Sequence, residues 1–150
     1  MNALLRATVL AFAASACLPA LAESCHVSAQ PEAKTPPSNG GNEYCFEHEG
    51  MPEGSLDWSC NNKTGDVAGM RKEKRQACPS GYFGRCVAPL TQETLANEMS
   101  SGRYGQEAGT PPNVPDEAKI VTYYYQALDK GQAKVDCESG GGRWTEGDTR

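Results

Sequence analysis

The chain has 150 residues and carries 14 Lys and Arg against 19 Asp and Glu, a formal charge of −5 that argues against general nucleic-acid binding. Glycine and proline are frequent, at 16 and 10 copies, while Phe and Trp number only 3 and 2, so a large apolar core is excluded and the length fits one compact domain or two small lobes. Seven cysteines in such a chain shift attention to covalent staples.

In chain order, residues 1–22 read as an export signal: Arg6 precedes a small and apolar run from Ala7 to Leu18, and Ala20-Leu21-Ala22 forms a small-x-small cleavage site. The run is shorter than the roughly 20 residues a membrane span needs. The mature chain then starts at Glu23, with lipoprotein processing at Cys17 as the less favoured alternative. Its balance is 13 basic against 19 acidic residues, or −6, because the leader removes one Arg and no acid. Six cysteines remain, namely Cys25, Cys45, Cys60, Cys78, Cys86 and Cys137. An even count in an exported chain implies three structural disulfides. Of the fifteen pairings open to six cysteines, chain order gives 25 with 45, 60 with 78 and 86 with 137 as a default only.

Residues 23–43, rich in proline and with an Asn-Gly-Gly turn at 39–41, are expected to be a flexible arm tethered by Cys25. The stapled domain then covers 44–150. Tyr44 to His48 predicts a short strand, and Pro52 opens a short helix in which Leu56 and Cys60 stack four apart. The segment 71–89 holds the basic cluster Arg71-Lys72-Glu73-Lys74-Arg75, a Cys-Pro-Ser-Gly turn and a strand around Cys86. A long surface loop is expected over 88–118, with a helical turn or two from Thr91 that aligns Leu95 and Met99. Ile120 to Gln126 predicts a strand antiparallel to the one at Cys86, with Val121, Tyr123 and Tyr125 facing inward and Tyr124 facing water. Asp129 and Gln132 predict a capping box, Leu128 and Ala133 a staple, and the glycines at 140–142 a helix stop. Strand, short helix, cysteine and glycine thus occur twice. The expected class is α+β, a disulfide-stapled domain of short antiparallel strands and two short helices with a degenerate internal repeat.

Candidate chemistry is sparse. His48 sits between Glu47 and Glu49, but neighbouring strand residues point to opposite faces, and the cluster reads as a solvated strand end. His26 is one place too far from the new N-terminus for an amino-terminal copper site. There is no C-x-x-C pair, no G-x-S-x-G elbow and no cysteine left over as a nucleophile, so no catalytic residue, metal or cofactor is expected. The sequon at Asn62 matters only in a eukaryotic host and is set aside. Trp58 and Trp144 are expected to pack over disulfides. The residues left as contacts for a partner are Tyr124 and the cations Arg71, Lys72, Lys74 and Arg75.

The run Cys78-Pro79, Gly84-Arg85-Cys86, Tyr123-Tyr124-Tyr125, Cys137 and Gly141-Gly142-Arg143-Trp144 resembles a pattern in small uncharacterised exported bacterial proteins, C-P, G-x-C, Y-Y-Y, C, G-G-x-W. That resemblance spans most of 44–144 and implies export and a disulfide framework, without an activity. The function expected is a non-catalytic exported binding module, periplasmic or secreted, whose partner is a protein or an envelope component. Its alternatives are a periplasmic inhibitor or immunity protein and a structural envelope protein.

Overall fold

The computed structural model describes residues 23–29, 43–60, 70–96 and 111–147; the expected leader, Cys17 and the sequon lie outside them. The described residues form β1 (Ser24–Ala29), β2 (Glu43–Glu49), α1 (Ser55–Ser59), β3 (Met70–Arg75), β4 (Gly84–Pro89), α2 (Gln92–Ala96), β5 (Lys119–Gln126), α3 (Lys130–Ser139) and β6 (Arg143–Glu146). All six strands join one antiparallel sheet in the order β3-β1-β2-β5-β4-β6. Among the described residues strand outweighs helix, and there are three short helices rather than two.

The order conceals a duplication. In β1-β2-α1-β3 the first strand lies between the other two, and β4-β5-α3-β6 repeats that arrangement on the other side. In each half the first strand's cysteine is bonded to the cysteine at or near the helix end, Cys25 to Cys60 and Cys86 to Cys137. The halves meet along β2 and β5, and the Phe46–Thr122 pair lies at their approximate two-fold axis. Tyr44 against Tyr124 on one side of it mirrors His48 against Ile120 on the other. By this register Cys25 corresponds to Cys86, Val27 to Ala88, Phe46 to Thr122 and His48 to Tyr124. The expected repeat is therefore present in the topology, with α2 inserted into the second half.

Alternation along antiparallel strands sends Cys25, Val27, Tyr44, Phe46, Thr122, Tyr124, Cys86 and Trp144 to one face. That face carries the core: Cys25, Val27, Tyr44, Phe46, Tyr124 and Cys86 pack with Leu56 and Cys60 at α1 and with Ala133 and Cys137 of α3. A smaller cluster of Leu90, Leu95 and Ala118 seats α2 beside it. Burying the larger of these, such as Val27, Phe46, Leu56 and Leu95, is worth roughly 1.5 to 3 kcal/mol each. Val121 on the opposite face is fully buried yet belongs to neither cluster. Gly84 is required by packing, since an added Cβ there would land in the indole of Trp144.

Several expectations need correction. Cys25 cannot reach Cys45, because Cys25 is registered with Phe46 and His26 with Cys45, which puts the two cysteines on opposite faces. The observed bonds are Cys25–Cys60, Cys45–Cys78 and Cys86–Cys137, so the default held for the last pair alone. The arm expected over 23–43 begins instead as β1, held on both sides by β2 and β3; residues 30–42 lie outside the described ones. The expected loop at 88–118 supplies the end of β4 and α2, whose Leu95 is fully buried, while 97–110 are outside the described residues. Asp129 does cap α3, accepting from the amides of Gly131 and Gln132, but the Gln132 side chain turns forward to Asp136 instead of closing the box. Leu128 is 73% exposed and forms no staple.

Candidate functional site

The core face is not filled evenly. Between α2 and α3 it leaves a cavity of about 340 Å³, within the range of roughly 300 to 1,000 Å³ usual for small-ligand sites. Its floor is Phe46, Ile120 and Thr122, Ala88 and Thr94 stand on the α2 side, and Tyr124 and Asp136 on the α3 side. The reason lies in the duplication. Where the first half has Val27 and Phe46, both almost fully buried, the second has Ala88 and Thr122, which are smaller. α3 is held over this space by Cys137, and the amide of Gly142 returns to the Cys137 carbonyl at 2.9 Å to end the helix.

Apart from Thr122 at the floor, the polar groups stand at the wall. Tyr124 is only 7% exposed, and its phenol is pushed up to about 12, first by burial and then by the nearby Asp136 carboxylate. Asp136 is on the exposed side of α3, where one carboxylate oxygen accepts from Gln132 Nε2 at 2.7 Å. No Lys or Arg lines the cavity among the described residues.

The expected contact residues are placed differently from one another. Tyr124, expected to be the wetter tyrosine, is the buried one, packed against Phe83 and Trp144 at ring separations of 6.2 and 5.3 Å. The alternation was right and Val121 is buried as expected, but among the tyrosines the inward side is reversed, because the disulfide-tethered helices cover the Tyr124 face. Tyr123 and Tyr125 lie on the other face, half-buried. Tyr125 donates to the Pro79 carbonyl at 2.6 Å, while Tyr123 meets the edge of Tyr82 and lies under the Arg85 guanidinium. Burial, followed by Tyr123 and Glu47, raises the Tyr125 phenol above its usual range.

The basic cluster is strand β3, and alternation splits it. Lys72 and Lys74 turn to the helix face, where buried Lys72 donates to the Ser59 carbonyl and Lys74 pairs with Asp57. Lys74 is held above its usual range chiefly by that hydrogen bond. Arg71 and Arg75 turn the other way and share Glu73, one oxygen each at 2.9 Å, which lowers the Glu73 carboxyl. The five charges thus bind α1 and each other, with Arg71 the most exposed of the four cations.

His48 is also not where the sequence put it. Both ring nitrogens are buried without a hydrogen-bond partner, the ring lies against Phe46 at 5.6 Å, and desolvation lowers its pKa to about 4. His26 is buried in β1 with Nε2 3.0 Å from Glu43. Trp144 packs over Gly84 and beside Cys86 as expected of a disulfide-flanking aromatic, whereas Trp58 joins the α2 cluster. Among the described residues no group of three His, Cys, Asp or Glu gathers in a metal-binding arrangement.

Sequence reasoning missed Ala88, Thr94, Thr122 and Asp136. Aligning Cys86 on Cys25 would have exposed the first, as a small residue at the place of Val27, whereas the equivalence of Thr122 with Phe46 needs the strand register, because the two Cys-to-Cys spans differ in length, 35 against 51. No protein-family model matches the chain, and no curated protein or solved structure does either.

Proposed function

We propose that the chain is an exported, non-catalytic binding module that takes a small ligand in the cavity between α2 and α3. The observation that carries this reading is the unequal filling of two topologically equivalent half-cores. One is packed by Val27 and Phe46, and the other is left open above Ala88 and Thr122 while its helix is tethered in place. A largely apolar floor with a few polar groups at the wall suits binding and orientation better than bond breaking. Export draws support from the three disulfides and from the leader-like residues 1–22, and no helix among the described residues is long and apolar enough to cross a membrane.

Titration of the oxidised chain with the neutral fluorophore N-phenyl-1-naphthylamine should give a saturable rise in emission at one probe per chain. Ala88→Leu, which fills the cavity from its α2 side, should remove it with the circular dichroism unchanged. Equal binding to Ala88→Leu would sink the cavity as the site. Export is read separately by sequencing the N-terminus of protein taken from the cell envelope, which should begin at Glu23.

A further inference from the structure

The cavity has a chemical polarity that narrows its ligand. Its floor and inner wall are hydrocarbon and aromatic, from Phe46, Ile120, Ala88 and Tyr124, and the one charge in its lining among the described residues is the Asp136 carboxylate. That carboxylate projects from a tethered helix and is already oriented at one oxygen by Gln132, while no described contact gives the second oxygen a hydrogen bond. Thr122 adds a hydroxyl-bearing side chain without charge, and the Thr94 hydroxyl is taken up by Thr91. A carboxylate or phosphate entering this space would meet Asp136 without a cation to offset it, and like charges at short range repel. A ligand without charge would bury its apolar surface and leave the Asp136 edge unused.

We infer that the cavity selects small amphipathic amines, with an aromatic or branched apolar body against Phe46 and Ile120 and a protonated amino group at Asp136. This rests on the binding-module reading above and adds the ligand class. Tyr124 serves as a neutral wall at physiological pH, with its hydroxyl next to the same carboxylate and its ring along the apolar body. The chain's overall negative charge favours the approach of a cation as well.

Three matched probes test it: 2-phenylethylamine, 2-phenylethanol and 3-phenylpropionate, each with two methylenes between ring and polar head and each titrated at pH 7 into the oxidised full chain by calorimetry. The amine should bind about fivefold more tightly than the alcohol, the gain expected of one partly exposed ion pair, and the propionate should be weakest. Asp136→Asn keeps an acceptor for Gln132 and should bring the amine level with the alcohol, leaving the alcohol unchanged. Raising the salt to 0.5 M should weaken the amine alone in the wild-type chain, a readout that needs no variant. Equal affinity for all three probes overturns the amine preference and leaves the cavity reading intact. Failure of all three to bind overturns both, and tighter binding of the propionate overturns the charge assignment outright.

Discussion

The two halves of the sheet share a topology and a disulfide yet differ in how they spend their side chains. The first half closes its core with Val27 and Phe46, clamps its outer strand with Lys72 on Ser59 and Lys74 on Asp57, and buries His48 without a partner. The second half places Ala88, Thr122 and Tyr124 at the equivalent positions and Trp144 where the first has Lys74, and it keeps a cavity. A duplicated frame therefore lets one copy close its core while the other gives up packing and keeps a cavity. The third disulfide, Cys45–Cys78, has no counterpart: Val121 stands at the position equivalent to Cys45, and the bond ties down the 76–83 segment on the other face.

The largest test of that comparison is covalent. Cys25–Cys60 closes a span of 35 residues and Cys86–Cys137 one of 51. Loop-closure entropy grows only logarithmically, so replacing either pair by serine should cost about 4 kcal/mol, with the two within about 0.5 kcal/mol of each other. Urea unfolding of the two double variants measures this. A gap of several kcal/mol would mean that the halves are not equivalent in the folded state or are not stapled by the same physics.

Next in size is a pH effect confined to the first half. His48 has a folded pKa of about 4 against 6.5 in the unfolded chain, because burial disfavours its charged form. The unfolded chain binds the extra proton between those values, so His48 costs nothing above pH 6.5 and destabilises progressively as pH falls toward 4. The loss is on the order of 3 kcal/mol when complete. His48→Phe should flatten that part of the stability profile without disturbing pH 7. Tyr124, its equivalent in the second half, stays neutral across this range, its phenol being pushed up to about 12.

Exchanging the packing residues sharpens the comparison further. Val27→Ala opens a void in the filled half and should cost about 2 kcal/mol. Ala88→Val enters the space that is already open and should change stability by less than about 1 kcal/mol while weakening the naphthylamine probe. Equal penalties in chemical denaturation would mean that the second half-core is as tightly packed as the first.

Much of the frame was legible because it rests on local rules. The 119–126 strand follows from alternation, α3 from Asp129 and the terminal glycines, and the strand at Cys86 pairs with 121–125 as its spacing implies. What failed depends on partners far along the chain. Ile120, Thr122 and Tyr124 are about as apolar as Val121, Tyr123 and Tyr125, so the inward face was decided by helices tethered through Cys60 and Cys137, which alternation cannot locate. The segment Ser24–Ala29 has little apolar content, and it becomes a strand by pairing on both sides. No strand was expected at the basic cluster because charge masks its period of two, with lysines toward α1 and arginines away from it. The cavity was invisible for a related reason, since a small residue marks a void only once its duplicated counterpart is known.

The smallest contrast concerns how the two helices begin. α3 is capped by Asp129, whose carboxylate accepts from two amides at 2.8 and 3.1 Å, while α1 starts after Gly54 with no side-chain cap. α1 is only five residues long and is held at its far end by Cys60 at once, so its start matters little to its position. α3 runs for ten residues with Leu128 exposed beside it, so its first turn relies on the cap. Asp129→Ala should therefore cost about 1 kcal/mol. Because Cys137 still anchors the opposite end, the expected signature is faster amide exchange at Gly131 and Gln132 with exchange at Cys137 unchanged. Fraying that spread to Cys137 would show that the cap, and not the disulfide, holds α3 over the cavity.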